Sequence, residues 1–207
     1  MAGLRERQKA DRKRRILGAA VTLFREGGFH AVRMEDLAAR ADLSVGTLYN
    51  YYPHKGDILI ATVAMEVEEV LAQGDHLVAD PPGDVEDAVL ALVFCYYDHS
   101  LEYLSKEMWR AAMALSIDRP ETPNGRRYAE LDAALAGQVR ALLAGLQARG
   151  RIRADLPAED LGDLIFNALN MLFIDFVRHD ADTMADLRAR ARAQIGPLAR
   201  MMAAPQP

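Results

Sequence analysis

An all-helical protein is what this sequence predicts, and three observations carry the prediction. Apolar residues recur at the 3.6-residue spacing of an amphipathic helix nearly throughout, as at Ile16, Ala20, Leu23 and Phe24. Alternating β-branched runs of the kind that build half-buried strands do not occur. Glycine and proline gather at a few breaks that divide the chain into about nine helices. With 207 residues, 51% of them hydrophobic, there is length for a sizeable core, organised as an N-terminal module over 1–55 and a larger helical domain over 56–207.

In chain order, the first helix is expected from Asp11 to Arg25, stopped by Gly27-Gly28. Short helices follow over Met34–Ala41 and Val45–Tyr52, and Pro53 ends the latter because its ring removes a donor and clashes with the preceding turn. A long fourth helix leads out of this module from Lys55 to Gln73, ending before Gly74. The body then reads as helices over Asp84–Tyr103, Lys106–Ser116, Arg126–Arg149, Ala158–His179 and Thr183–Met202. Asp118 to Gly125 is the clearest loop, with two prolines and a glycine, and the Pro205-Gln206-Pro207 end reads as frayed.

Charge is divided unevenly along the chain. The net charge of −5 hides eleven Lys/Arg against six Asp/Glu in residues 1–55, and fourteen against twenty-four in the rest. A basic head on an acidic body turns the head toward a polyanion, and the densest basic run, Arg5 to Arg15, belongs to that head. No run of eighteen apolar residues and no apolar leader is present, so a soluble, cytoplasmic protein without a membrane partner is expected. Cys95 is the only cysteine, which fits a reducing compartment. There is no Ser-His-Asp, Cys-His or glycine-rich phosphate motif, and none of the five histidines has a Glu three residues before it. Cys95 with His99, and Asp175 with His179, stand one helical turn apart without further metal-ligating neighbours. The expectation is no catalytic residue, no metal and no cofactor.

Function concentrates between Arg33 and Lys55. Leu37, Ala38 and Ala41 share one helical face, Leu43 closes the turn, and Leu48 and Tyr52 lie one turn apart on the next helix; this is the pattern of two helices packed steeply across a turn. Asp42 falls where left-handed backbone is wanted, which Asp tolerates. Ser44 is a good N-cap, and the small Val45, Gly46 and Thr47 after it suit a helix whose first turn enters a major groove ~12 Å wide. Gly46 inside a helix costs roughly 1 kcal/mol relative to Ala, for which access to DNA is a reason. Thr47 can bond a base edge or touch a thymine methyl, with Asn50 on the same helix. Tyr49 and Tyr51 carry hydroxyls to phosphates, Lys55 and Arg33 add cations, and Tyr52 reads as core.

Taken together, Gly28-Phe29, Leu37-Ala38, Leu43-Ser44, Gly46-Thr47-Leu48-Tyr49, Tyr52 and Lys55-Gly56-Asp57-Ile58-Leu59 resemble, in order and spacing, the DNA-binding domain of the tetracycline-repressor (TetR) family of bacterial regulators. The resemblance covers about residues 12 to 60. It implies base reading near Ser44 to Thr47, backbone contacts by Tyr49, Tyr51 and Lys55, and most often repression. The sequence departs from the family at Arg33-Met34, where Ser or Thr followed by an apolar residue is usual, and at Asn50, where His or an aromatic is frequent.

In the body, Met184, Leu187, Ala191, Ile195, Leu198 and Met202 form a helical seam opposite Arg188, Arg190, Arg192 and Arg200. The preceding helix, with Leu161 and Leu164, is apolar on nearly every side and needs cover from two directions. Pairing both with a symmetry mate gives a four-helix homodimer interface, as the resemblance also implies, and presents two recognition helices ~34–36 Å apart. A small-molecule effector of unidentified chemistry is expected among Tyr96, His99, Tyr103, Trp109, Met113, Asn167, Asn170 and Met171, because polar groups in apolar faces are unfavourable unless paired. Ordinary core packing is the alternative. The sequence thus predicts a DNA-binding transcriptional regulator, a repressor released from its operator by that effector. A ligand-independent regulator or activator is the second reading, and a small helical enzyme the third.

Overall fold

The computed structural model describes residues 3–205. Among them are nine helices: α1 (Leu4–Gly27), α2 (Met34–Arg40), α3 (Val45–Tyr51), α4 (Lys55–Ala79), α5 (Val85–His99), α6 (Lys106–Asp118), α7 (Pro123–Ala148), α8 (Ala158–Arg178) and α9 (Met184–Met202). No strand forms among the described residues, only an isolated bridge between Ile152 and Ala203. Gln206 and Pro207, read as part of a frayed end, lie outside the described residues.

Four helix boundaries differ from the sequence reading by more than two residues, each for a local reason. α1 begins at Leu4 and not Asp11, because the Glu6 carboxylate accepts the Gly3 amide at 3.1 Å and nothing in the basic run breaks a helix. α4 passes through Gly74 because the glycine allows a close approach: a Cβ there would come within 2.2 Å of Gln138 Oε1. α5 stops at His99, four residues early, where the Ser100 hydroxyl donates to the Tyr97 carbonyl at 2.7 Å and the Glu102 amide to His99 at 2.8 Å. α7 opens at Pro123, inside the expected loop, since proline suits a first turn whose amides have no helical partner; the Gly125 amide is taken up by the Thr122 hydroxyl at 3.1 Å.

The helices fall into two compact units, one of residues 1–65 with 103–129, the other of 66–102 with 130–207. The sequence had drawn its division at residue 55, where α4 begins. Instead the buried Ile58, Leu59, Ile60 and Val63 of α4 count with the first unit, and α6 joins them, with Leu115 against Gly56. The core of the first unit gathers Ile16, Ala20 and Phe24 of α1, Leu37 and Ala38 of α2 and Leu48 of α3. Phe24 meets Phe29 edge to face at 5.2 Å.

In the second unit α9 packs chiefly against α5, and also against α8. The seam read from the sequence makes this contact: Leu187, Ala191 and Ile195 are fully buried within the one chain. That corrects their assignment to a dimer interface, since a residue already covered by α5 and α8 offers nothing to a partner. The seam's periodicity was a core signature; Leu198 is half-buried beside it.

Candidate nucleic-acid interface and effector site

Two buried faces hold the helix-turn-helix together, and Asp42 supplies the left-handed turn residue with φ of 53°. What fixes this turn is Arg15. Its guanidinium Nη2 donates to the carbonyls of Ala41 and Asp42, both at 2.6 Å, and to the Asp42 carboxylate at 2.9 Å, stapling α1 to the turn. The sequence reading placed Arg15 in a basic run with six other cations. Its position beside the buried Ile16, on the inward side of α1, was the signal that separated it from them. Arg5, Arg7, Lys9, Arg12, Lys13 and Arg14 are exposed along a continuous helix.

The first turn of α3 is organised by Ser44, whose hydroxyl accepts the Thr47 amide at 3.1 Å and lies 2.7 Å from the Thr47 hydroxyl. Val45, Gly46, Tyr49 and Asn50 are exposed, Tyr49 at 45%. A Cβ built at Gly46 meets nothing within 4 Å, so no part of the chain itself requires glycine there. Thr47, Tyr51 and Tyr52 are half-buried, and burial pushes the Tyr52 phenol up. Arg33 is exposed at the start of α2, where the Asp36 carboxylate accepts its amide at 3.0 Å; this is the reciprocal half of a capping box, and the Arg33 side chain, which has no acceptor, does not provide the hydroxyl cap of a Ser or Thr.

Lys55 also makes internal contacts. Its ammonium donates to the carbonyls of His30 at 3.0 Å and Val32 at 2.8 Å and lies 4.7 Å from the centre of the Phe29 ring. Burial lowers its pKa, partly offset by Glu107. The lysine therefore pins the α1–α2 connection with two of its three ammonium donors.

The candidate effector residues separate. Tyr103, Trp109 and Met113 belong to the first unit, with Trp109 buried and the other two half-buried. Because α5 ends at His99, Tyr103 no longer shares a helical face with Tyr96 and His99. Tyr96 sits in a satisfied network: its hydroxyl donates to Gln138 Oε1 at 2.6 Å, and Gln138 Nε2 donates to the Leu71 carbonyl at 2.8 Å and to Asp75 at 2.7 Å. On α8, Asn167 and Met171 are exposed, Met171 at 52%, and Asn170 is half-buried. Leu164, 54% exposed, lies on the same outward stripe and Leu161 is half-buried at its start. Asn167 and Met171 are thus surface groups on α8 and do not line an interior pocket. On α9, Ala185, Ala189, Pro197 and Met201 are exposed.

His99 meets buried charge. Its Nδ1 lies 2.7 Å from Glu66 Oε1, and its Nε2 lies 3.3 Å from Glu102 and 3.5 Å from Glu69. Burial pushes the Glu66 carboxyl up to about 7 against the lowering effect of His99. For His99, burial works against the charged form, but the bond to Glu66 and the surrounding carboxylates raise its pKa overall. Glu66 escaped the sequence reading because it sits between Val63 and Val67 on a helix whose other glutamates are ordinary surface residues in pattern. Cys95 Sγ faces Gln73 Oε1 at 3.6 Å. Among the described residues no group of three or more His, Cys, Asp or Glu is arranged to hold a metal ion, and no helix is long and apolar enough to cross a membrane.

Residues 16–62 match the family model of bacterial regulatory proteins of the tetR family. The transcriptional repressor KstR of Rhodococcus jostii is 42% identical over 73 residues, 35% of this chain and 32% of that protein. The transcriptional regulator RutR of Escherichia coli K12 is 36% identical over 70 residues, 34% and 33% of the two chains. The matched stretch therefore spans about a third of the length of these curated relatives. Solved structures extend the likeness to the whole fold. A TetR-family regulator from Mesorhizobium loti superposes with a TM-score of 0.73 at 18% identity, covering 94% of this chain and 98% of that one. Thermus thermophilus FadR, a TetR-family repressor in complex with lauroyl-CoA, gives 0.64 at 22%, covering 94% and 97%. A transcriptional regulator from Saccharomonospora viridis in complex with choline gives 0.66 at 21%, covering 89% and 95%. All-helical architecture with an N-terminal helix-turn-helix and a helical remainder is the shared fold.

Proposed function

We propose that this chain, whose residues 16–62 match the family model of bacterial regulatory proteins of the tetR family, is a member of that family and a cytoplasmic, homodimeric transcriptional repressor released from its operator by a small molecule. The head carries the DNA contacts and the helical body carries effector and partner. One observation supports the first part most directly: the exposed first turn of α3, with open space around Gly46, on a helix-turn-helix braced by Arg15 and Lys55. Val45, Gly46 and Thr47 then meet base edges, and Tyr49, Asn50, Tyr51 and Arg33 contact the backbone and groove walls. The exposed cations of α1 add phosphate contacts.

The names of KstR and RutR support regulation of transcription. The ligands of FadR and of the choline-bound regulator support an effector in the body. Partner contact falls to the outward stripe of α8, Leu164, Asn167 and Met171, continued by the exposed small residues of α9. Release requires the effector to favour one conformation of the body over another, since equal affinity for both shifts nothing. The chemistry at hand is binding, not turnover.

The test is retardation of the DNA upstream of the protein's own gene by ligand-free protein at moderate salt. Retention of that DNA in preference to a scrambled duplex is expected. Equal retention of both would overturn the reading.

A further inference from the structure

The direction in which α3 leaves α2 is decided at one residue. Asp42 has a φ of 53°, in the left-handed region that Asp tolerates but does not favour, so its surroundings hold it there. Its φ orients the peptide that carries the Ala41 carbonyl, and its ψ orients the peptide that carries its own carbonyl. On the amide side the turn is held by α2: the Asp42 N–H donates to the Ala39 carbonyl at 3.1 Å and the Leu43 N–H to the Ala38 carbonyl at 2.9 Å. On the carbonyl side the holder is Arg15 of α1, whose Nη2 donates to both flanking carbonyls at 2.6 Å. One nitrogen thus restrains both dihedrals of the residue that sets the turn. Beyond the turn α3 is lightly anchored: of its seven residues Leu48 alone is fully buried, whereas Val45, Gly46, Tyr49 and Asn50 are exposed. The reading turn, Ser44 to Thr47, lies between these two points and takes its orientation from both.

We propose that Arg15 is a positioning residue for DNA reading: by locking the turn at Asp42 it sets the angle at which Val45, Gly46 and Thr47 meet the base edges, and so governs discrimination between operator and other DNA. The proposal rests on the reading that α3 meets DNA, and it assigns a task in that reading to a cation outside α3. Two other roles for Arg15 predict different behaviour. A phosphate contact contributes to every sequence alike and adds to the salt dependence. A surface ion pair with Asp42, whose side chain is 97% exposed, contributes little. The weight falls instead on the two carbonyl bonds, in which a charged donor meets neutral acceptors. A base contact is made only within a narrow range of distance and angle. A turn free to rock therefore loses specific contacts, while the exposed cations of α1 continue to hold any duplex.

The experiment measures the affinity of full-chain variants for two duplexes, the DNA upstream of the protein's own gene and a scrambled sequence, over a series of salt concentrations. Arg15→Gln with Asp42→Asn removes the brace without changing the charge of the head, and asparagine tolerates the left-handed backbone. The double variant is expected to lose roughly 10- to 100-fold in operator affinity, the effect of about one mismatched base pair, with scrambled-duplex affinity and salt slope unchanged. Asp42→Asn alone leaves both carbonyl bonds in place and should keep most of the discrimination. A cooperative melt above the assay temperature confirms that each variant folds. If the double variant does not, Arg15→Lys, which keeps the charge but is one bond shorter than the reach of Nη2, should lose discrimination several-fold in the same pattern. Discrimination equal to that of the unaltered protein overturns the proposal, as does a loss equally large in Asp42→Asn alone. Equal loss on both duplexes also overturns it, and a salt slope lower by about 0.9 per head then makes Arg15 a phosphate contact. If the unaltered protein does not prefer the upstream DNA, the proposed function fails and this proposal with it; if it does and the variants share the preference, this proposal alone fails.

Discussion

The two compact units treat charge in opposite ways. In the first, the cations nearest the helix-turn-helix either brace backbone carbonyls, as Arg15 and Lys55 do, or stand in solvent, as Arg33 does. In the second, charge goes inside: Glu66 and His99 are buried together, and the orphaned buried atoms found among the described residues, Glu66 Oε2 and Arg190 Nε, both belong there. The difference lies in what the polar groups of each region are bonded to. A polyanion is met by a rigid surface with donors facing outward, so internal polar groups only hold the surface in shape. In the second unit the buried carboxyl is offset only in part, by the bond of its other oxygen to His99.

The largest effect that sharpens this contrast is on assembly. Leu164→Glu with Met171→Glu places two charges on the outward stripe of α8; each carboxylate buried unpaired in a dimer costs about 3–5 kcal/mol. The expected result is a folded monomer by light scattering, with operator affinity lost because only one head is presented. A variant that remains dimeric would remove α8 from the interface. Ile195→Ala, by contrast, should cost roughly 2–5 kcal/mol of folding stability through the cavity it leaves in the α5–α9 core.

Next in size is the pH response of the second unit. Burial holds the Glu66 carboxyl up at about 7 and that of Asp132 at about 6, against 4.5 and 3.8 for the ordinary groups, and His99 is also raised. The folded chain therefore keeps protons that the unfolded chain has already released. Stability from these groups is fully present below the unfolded values and is lost as pH climbs through the folded ones, between about 4 and 6 for Asp132 and between about 4.5 and 7 for Glu66, on the order of 1 kcal/mol per pH unit for each group. Denaturant melts at pH 5, 6, 7 and 8 measure the slope, and Glu66→Gln should flatten it. An unchanged slope in that variant would mean that Glu66 is ionised in the fold across the whole range.

How far these features were legible in the sequence depends on which way a side chain faces. The helices were readable because apolar periodicity and breaker residues act locally, and α3 with its Ser44 cap and bare Gly46 was readable because its chemistry is outward and consecutive. The errors came where tertiary contact decides. Leu187, Ala191 and Ile195 have the same periodicity whether the partner is α5 or another chain. Lys55 is a cation near the reading helix in either role, and only the positions of the His30 and Val32 carbonyls distinguish a brace from a phosphate contact. Glu66 meets His99 across thirty-three positions of sequence, a pairing that no local pattern encodes.

A smaller effect tests the brace directly. Lys55→Ala should lower the stability of the first unit by about 1 kcal/mol, since both carbonyls lose a donor at a half-exposed site, and should weaken operator binding by loosening the helix-turn-helix. The salt dependence distinguishes the roles. A lysine on phosphate contributes about 0.9 to the slope of log K against log salt, whereas a lysine engaged with His30 and Val32 contributes nothing, so the slope should match that of the parent. A flatter slope would return Lys55 to the DNA backbone.

The smallest effect is also the one in which stability and function should move in opposite directions. Gly46→Ala adds a methyl group where no atom of the chain lies within 4 Å, on a helical turn already capped by Ser44. In the absence of DNA this should stabilise the protein by roughly 0.5–1 kcal/mol, because alanine loses less conformational freedom than glycine on entering a helix. On the operator the same methyl group occupies the space through which α3 approaches the base edges, and affinity should fall even as the melting temperature rises. A gain in stability with undiminished operator affinity would show that Gly46 is not kept for access to the groove, and would shift the reading surface toward Tyr49 and Asn50, one turn further along α3.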